Sequence, residues 1–356
     1  MVADASALAD NRATAGIGRY AESLVAELRH RDDLDFWVAK PPWRPPSEAW
    51  VMRFASAQPL VAPLAAAHRA QLVHGLASDP VLFWPLARQV VTLHDVLPWT
   101  TVRGGRLTPA YLAMQRRRLR RCGAVIAVSQ ATADEAVDVL GLDRARIHVV
   151  PEAMGDAFTA AAQLGDDTRR RKAGVPEAPY LLWVGSMRAH DPRKGLDGIL
   201  EAVAGGRHRD TPVVFAGAPG AESERLRQKA ADLDVNLLLP GFVDDYTLAA
   251  LYRGAAAALL PSHHEGFGLT ALEAMASGAP LVAAKSANLP ALAGDSALQV
   301  EPGDTRALGA AIDTVLEDAE VAAGLRARGP VTAAGYTWRR TAELTVAVYR
   351  SVLDSL

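Results

Sequence analysis

Only one cysteine, Cys122, occurs in the 356 residues, which excludes an internal disulfide and any cysteine-rich metal site. No His-x-x-x-His or paired-cysteine spacing is present, so no protein-held metal is expected. The longest apolar runs, such as AAAALL at 255–260, stop far short of the roughly 18 residues that a membrane-spanning helix needs. The opening MVADASALAD carries acids where a secretion signal would carry a basic end. A cytoplasmic location is therefore expected, with at most a peripheral membrane association. Neither sign of charge dominates, with 38 Lys and Arg against 40 Asp and Glu, so nucleic acid is not an expected partner.

Apolar residues make up 50% of the chain and fall in short runs that alternate with amphipathic helical stretches. That alternation is the pattern of parallel sheets covered by helices, so the expected fold class is α/β. The first series of strand candidates is 2–8, 34–39, 71–74, 89–94, 124–128 and 147–150. Helices are expected near 17–30, 109–121 and 130–140, the last opened by Ser129 as N-cap. AKPPWRPPSEAW, with four prolines, reads as a loop. The charged, non-periodic AQLGDDTRRRKAGVPEAP, 162–179, reads as a linker between two domains. A second series follows in YLLWVG, PVVFAG, VNLLLPG, AAAALLP, PLVAA and ALQVE, with helices near 195–204, 221–233, 245–254, 269–277 and 305–317. A final helix, WRRTAELTVAVYRSVL, has no strand after it. The expected domains are 1–160 together with 338–356, and 175–337.

Ligands of open α/β sheets gather at the carboxyl ends of strands, which directs attention to polar residues there. In PSHHEGFGLTALEAMASGAP, Glu265 precedes Gly266, Phe267, Gly268 and Leu269 at a helix start, and Glu273 follows. The unpaired N–H groups of a first helical turn suit a phosphate, and the flanking acids suit sugar or ribose hydroxyls. Thr270-x-x-Glu273 also fits a capping box, which would give Glu273 a purely structural task. In VGSMRAHDPRKGLDG, Arg193 and Lys194 together suit the oxygens of a diphosphate. TAGIGRYA sets Gly16 and Gly18 in a loop entering a helix. It fits the Gly-x-Gly-x-x-Ala dinucleotide fingerprint literally, yet DFWVAK supplies Lys40 where that fingerprint wants an acid. VVTLHDVLPW places His94 and Asp95 at a strand end, where His94 can donate to a sugar hydroxyl and Asp95 can orient it or meet an acceptor. MQRRRLRRC carries five arginines on a helix, fitting either an anionic acceptor or lipid surface or a solvated face.

Taken together these residues resemble the retaining nucleotide-sugar glycosyltransferases of glycosyltransferase family 4, of mannosyl-, rhamnosyl- or glucosyltransferase type. SHHEGFGLTALEAMASGAPLVAA matches the family's two-glutamate motif, with seven residues between the acids. GIGRY, TLHD, VIAVSQATADE, VGSMRAHDPRKGLDGILEA, LPGFVDDYTLAALYRGA and LPALAGDSALQVEPGD follow the family's order. The resemblance implies a GT-B fold: two Rossmann-like domains facing across a cleft, the donor on the second, the acceptor on the first, and the last helix crossing back. It implies that Glu265 stabilises positive charge at the donor sugar, that Glu273 binds the ribose and that Arg193 and Lys194 hold the diphosphate with the turn Gly266–Leu269. It further implies that His94 lies by the transferred sugar, that Gly16 and Gly18 approach the phosphates, and that the donor base meets the chain near Phe242 and Val243. Asp95 falls on the acceptor side. Departures from the family pattern are Ser186 where an arginine is common, PEAMGD in place of PNGVD, and Ala291 where LPEVAG has an acid.

The expected function is metal-independent transfer of a hexose or deoxyhexose from a nucleotide diphosphate sugar to a hydroxyl of a saccharide, a lipid-linked sugar or a secondary metabolite. No cofactor is expected beyond that donor substrate. The competing readings are a related GT-B phosphorylase or hydrolase, and a non-catalytic sugar-nucleotide-binding scaffold. An NAD oxidoreductase ranks last for want of the acid noted above.

Overall fold

A computed structural model describes residues 1–4, 16–39, 61–81, 83–101, 108–177 and 179–356. The proline-rich loop, Lys40 and residues 5–8 of the first expected strand lie outside the described residues. The chain divides into two units, Met1–Ala153 with Thr337–Leu356, and Met154–Tyr336.

The first unit is built on six parallel strands, β1 (Val2–Asp4), β2 (Trp37–Ala39), β3 (Val73–Gly75), β4 (Gln89–Leu93), β5 (Ala124–Ala127) and β6 (Ile147–Val149), in the order β2-β1-β3-β4-β5-β6. Its helices are α1 (Gly16–Arg29), α2 (61–67), α3 (Leu97–Thr100), α4 (Thr108–Leu119) and α5 (Gln130–Asp138). Ser129 caps α5 as expected, its hydroxyl accepting from the Thr132 amide at 3.0 Å. The arginine-rich α4 is only partly a solvated face. Arg116 and Arg120 both donate to the Leu140 carbonyl and Arg118 to that of Val81, which fastens the helix to its neighbours.

The second unit repeats the plan with β7 (Leu181–Val184), β8 (Val213–Ala216), β9 (Leu237–Gly241), β10 (Ala257–Leu260), β11 (Leu281–Ala284) and β12 (Ala297–Val300). The order is β12-β11-β10-β7-β8-β9, again parallel. Strands such as VVFA, AALL and LVAA are buried along their whole length, because helices cover both faces of such a sheet. The covering helices are α6 (Asp166–Lys172), α7 (Leu196–Gly205), α8 (Ala221–Asp232), α9 (Asp245–Gly254), α10 (Leu269–Ala276), α11 (Leu289–Ala293), α12 (Thr305–Glu317) and α13 (Ala319–Ala333). Trp183, Ile199, Phe215, Leu259 and Ile312 meet in their core.

α14 (Trp338–Asp354) returns to the first unit, where Val346, Tyr349 and Val352 join Tyr20, Leu24 and Ile126 in one core. A buried polar chain secures it: Tyr20 to Thr92 at 2.8 Å, Thr92 to His74 at 2.9 Å, and His74 to Tyr349 at 2.7 Å. Burial pushes the His74 imidazole down to about 3, so it serves there as a neutral hydrogen-bonding ring.

The stretch expected to link the domains instead folds as α6 inside the second unit, and the division falls earlier, between Ala153 and Met154. Acids in its first turn and bases in its last complement the helix dipole, a signal that apolar periodicity does not carry. Asp166 anchors α6 by a bidentate pair with Arg253 of α9, at 2.7 and 2.8 Å, with both side chains buried. Burial raises the Asp166 carboxyl, but Arg253 and the Gln163 amide outweigh it and hold it below 3.8. The pair's contribution is therefore present above that ordinary value and lost as pH falls through the lowered one. Arg253→Ala leaves a buried carboxylate without its partner, and urea unfolding should show a loss of about 3 kcal/mol. A loss under ~1 kcal/mol would mean that α6 is held by something else.

Candidate active site

In the second sheet the chain runs outward from β7 through β8 to β9, then returns to the other side of β7 and runs outward again from β10 to β12. β7 and β10 are thus central neighbours whose following loops diverge, the topological switch point at which open α/β sheets bind ligands. Arg193 and Lys194 follow β7, and Glu265 follows β10. The two loops are tied together, the His263 amide donating to the Arg193 carbonyl at 2.7 Å. Gly195 permits the approach: it sits at φ 69°, and a Cβ there would lie 2.8 Å from the Pro261 carbonyl oxygen.

Arg193 and Lys194 lie in a 3₁₀ turn, Pro192–Lys194, that Asp191 caps. Asp191 grips Arg193 with both oxygens, 3.0 Å from Nε and 2.6 Å from Nη2, so part of that charge is neutralised within the loop. Lys194 is held differently. Its Nζ donates to the Ser186 carbonyl at 2.6 Å and stands 5.7 Å from the centre of a Trp183 ring. Burial lowers the Lys194 ammonium below its ordinary value, against the pull of Asp191 and Glu265. Ser186 thus contributes a backbone carbonyl to the lysine.

Glu265 is partly exposed at the edge of its loop but surrounded by protein. Burial raises its carboxyl above the ordinary value, while the nearby Ser262 side chain and the charges of Lys194, His264 and Arg193 pull it back. The loop is clamped by the residues just before α11: Asn288 Nδ2 donates to the Phe267 carbonyl at 2.8 Å, and the Ser286 hydroxyl donates to that of Ser262. α10 then starts at Leu269 with Gly268 as its N-cap at φ 100°. Thr270 therefore lies inside the first turn and caps nothing, which removes the capping-box reading of Glu273. That glutamate lies in the second turn, 2% exposed. Phe242, exposed, and Val243, half-buried, follow β9 at the sheet edge.

The remaining candidates belong to the first unit. Gly16 and Gly18 lie within the first turn of α1 and not in a loop before it. Asp95 accepts from the Leu97 amide at 3.0 Å, opening α3. His94 is buried with both ring nitrogens occupied, Nδ1 2.9 Å from Glu152 Oε1 and Nε2 3.0 Å from the Leu76 carbonyl. Four participants escaped sequence reasoning: Asp191, Ser286, Asn288 and Glu152. Each follows a strand in its own sheet, and that position is the signal that could have found them. Among the described residues, no group of three or more His, Cys, Asp or Glu could hold a metal, and no helix is long and apolar enough to cross a membrane.

Residues 14–154 match Glycosyltransferase Family 4, and residues 178–318 match Glycosyl transferases group 1. A D-inositol 3-phosphate glycosyltransferase from Kineococcus radiotolerans is 32% identical over 295 residues, 76% of this chain and 67% of the relative. The chain spans between 51% and 67% of the length of the first two curated relatives it matches. In fold it is similar to sucrose-phosphate synthase from Thermosynechococcus elongatus, with a TM-score of 0.81 at 19% identity over 100% of this chain and 99% of that one. Anabaena HepE in complex with UDP-glucose gives 0.75 at 18% identity over 100% and 99%. The chain belongs to the family 4 glycosyltransferases, and its two parallel sheets are those of the GT-B fold.

Gly268 carries a testable constraint. A Cβ there would meet Leu289 Cδ2 at 2.8 Å and Leu292 Cδ2 at 3.1 Å, on a backbone already left-handed. Gly268→Ala is expected to destabilise the protein by about 1–3 kcal/mol, read by urea or thermal unfolding. Wild-type stability in that variant would mean that the turn before α10 is not fixed as described.

Proposed function

We propose that this protein transfers a hexose or deoxyhexose from a nucleotide diphosphate sugar to an acceptor hydroxyl, with retention of anomeric configuration and without a metal ion. The observation that carries this reading is the convergence of Lys194, Arg193 and Glu265 at the β7/β10 switch point, close enough for their charges to act on one another. The donor class has further support from the bound UDP-glucose of HepE. An inositol phosphate named for the relative suggests a polyol hydroxyl as one acceptor class, beside saccharides, lipid-linked sugars and secondary metabolites.

In the proposed reaction the bond between the anomeric carbon and the β-phosphate oxygen breaks, and the acceptor oxygen bonds to that carbon on the same face. The acceptor's proton passes to the departing diphosphate. Negative charge concentrates on the leaving group as this happens, so Lys194, the outer edge of Arg193 and the amide groups opening α10 stabilise the transition state more than the ground state. These cations supply the charge that a divalent ion supplies elsewhere. Glu265 as carboxylate stabilises the positive charge that develops on the sugar, and Glu273 receives the ribose hydroxyls.

Lys194→Ala and Glu265→Ala should each lower turnover by ~100-fold while far-UV circular dichroism and melting stay near wild type. In the wild type, the acid limb of kcat/KM should lie above 4.5, because burial makes Glu265 lose its proton late, and the alkaline limb below 10.5, because burial makes Lys194 lose its proton early. Near-normal turnover in either variant refutes the assignment. Sugar release that depends on inorganic phosphate and ignores nucleotide would instead identify a phosphorylase.

A further inference from the structure

Asp191 stands inside the loop that carries the phosphate-binding cations, and its charge has the wrong sign for that task. The chain holds it there. Pro192 follows it and keeps its backbone extended, at φ −136° and ψ 92°, while Oδ1 accepts from the Arg193 amide at 3.3 Å and so opens the 3₁₀ turn. The same carboxylate takes Arg193 Nε at 3.0 Å and Nη2 at 2.6 Å. Only one residue separates the two, so a ligand that draws Arg193 outward still has the carboxylate beside it.

Its influence extends to Lys194. Of the charges acting on that ammonium, Asp191 is the strongest, ahead of Glu265, Arg193 and Glu222. Glu222 is already engaged: Arg225 Nε and Nη2 donate to it at 3.0 and 2.6 Å, and His190 Nδ1 lies 3.0 Å away. Glu265 is assigned to the sugar. Asp191 thus bears on both phosphate-binding cations at once.

What it opposes depends on the charge of the ligand. Transfer breaks the bond between the anomeric carbon and the β-phosphate oxygen, and that oxygen becomes terminal on the nucleoside diphosphate. The acceptor's proton offsets its charge during transfer. Once that proton passes to water, the product carries one negative charge more than the donor did, because a terminal phosphate loses its second proton at about pH 6. Repulsion between like charges in a loop where the Asp191 side chain is only 23% exposed grows with that added charge.

We propose that Asp191 is a specificity-determining residue that discriminates against the free nucleoside diphosphate, weakening the product more than the donor and so hastening its release. The inference rests on the reading of the β7/β10 loops as a diphosphate site.

The test is calorimetric titration of UDP, ADP and GDP, each beside its glucose ester, into wild type, Asp191→Asn and Asp191→Ser, with dissociation rates from stopped flow. Asn and Ser keep an oxygen that can open the turn but lose the charge. In each variant the tightest-bound diphosphate should gain about fivefold or more in affinity, through slower dissociation, while its glucose ester gains about twofold or less. Diphosphate binding that is unchanged or weaker, in a variant that melts like wild type, overturns the inference, because Asp191 then serves only to support Arg193. Equal gains for diphosphate and ester overturn it as well. A wild type that binds none of the three diphosphates overturns instead the diphosphate reading on which the inference depends.

Discussion

The second unit depends on a backbone contact between two loops that leave neighbouring strands. The His263 amide bonds the Arg193 carbonyl at 2.7 Å, and Gly195 lies against Pro261 where no side chain would fit. Both partners are backbone, so the contact survives changes in side-chain charge. It fixes the cations after β7 and the acid after β10 in one place. Sheet order makes it possible, because strands that begin opposite runs of a doubly wound sheet stand side by side while their connections part.

Holding opposite charges close inside protein is costly, and the titration behaviour records it. Burial drives Glu265 toward its protonated form and Lys194 toward its neutral form, while each offsets the other's penalty. A site in that condition has charge to offer a ligand that brings its own. Arg193 is less available, being gripped by Asp191, so Lys194 is the main phosphate-binding group in this account. In the first unit a second buried pair, His94 with Glu152, is joined by one hydrogen bond, and the Leu76 carbonyl occupies the other ring nitrogen.

Most of the architecture was legible in the sequence. The strands, short and apolar on both faces, have one stable placement in a helix-covered sheet, and each expected run overlaps an observed strand wherever the residues are described. The motif loops fall at strand ends, as the turn chemistry of Gly195 and Gly268 requires. Less legible were features that rest on charge or on distant neighbours. α6 has no apolar stripe and is held by Arg253, 87 residues from Asp166 in the chain. Gly16 and Gly18 begin a helix that nothing in GIG itself starts. The partners Asp191, Asn288 and Glu152 have no motif of their own, and their tasks follow from which strands lie adjacent.

The central claim is that the loops after β7 and β10 form a diphosphate site. Calorimetric titration with matched nucleoside mono- and diphosphates tests it most directly. The account predicts that the second phosphate tightens binding at least about tenfold, roughly 1.4 kcal/mol, and that Lys194→Met abolishes this increment while leaving monophosphate affinity nearly unchanged. Equal affinity for the two nucleotides, or an increment that persists in Lys194→Met, would contradict it.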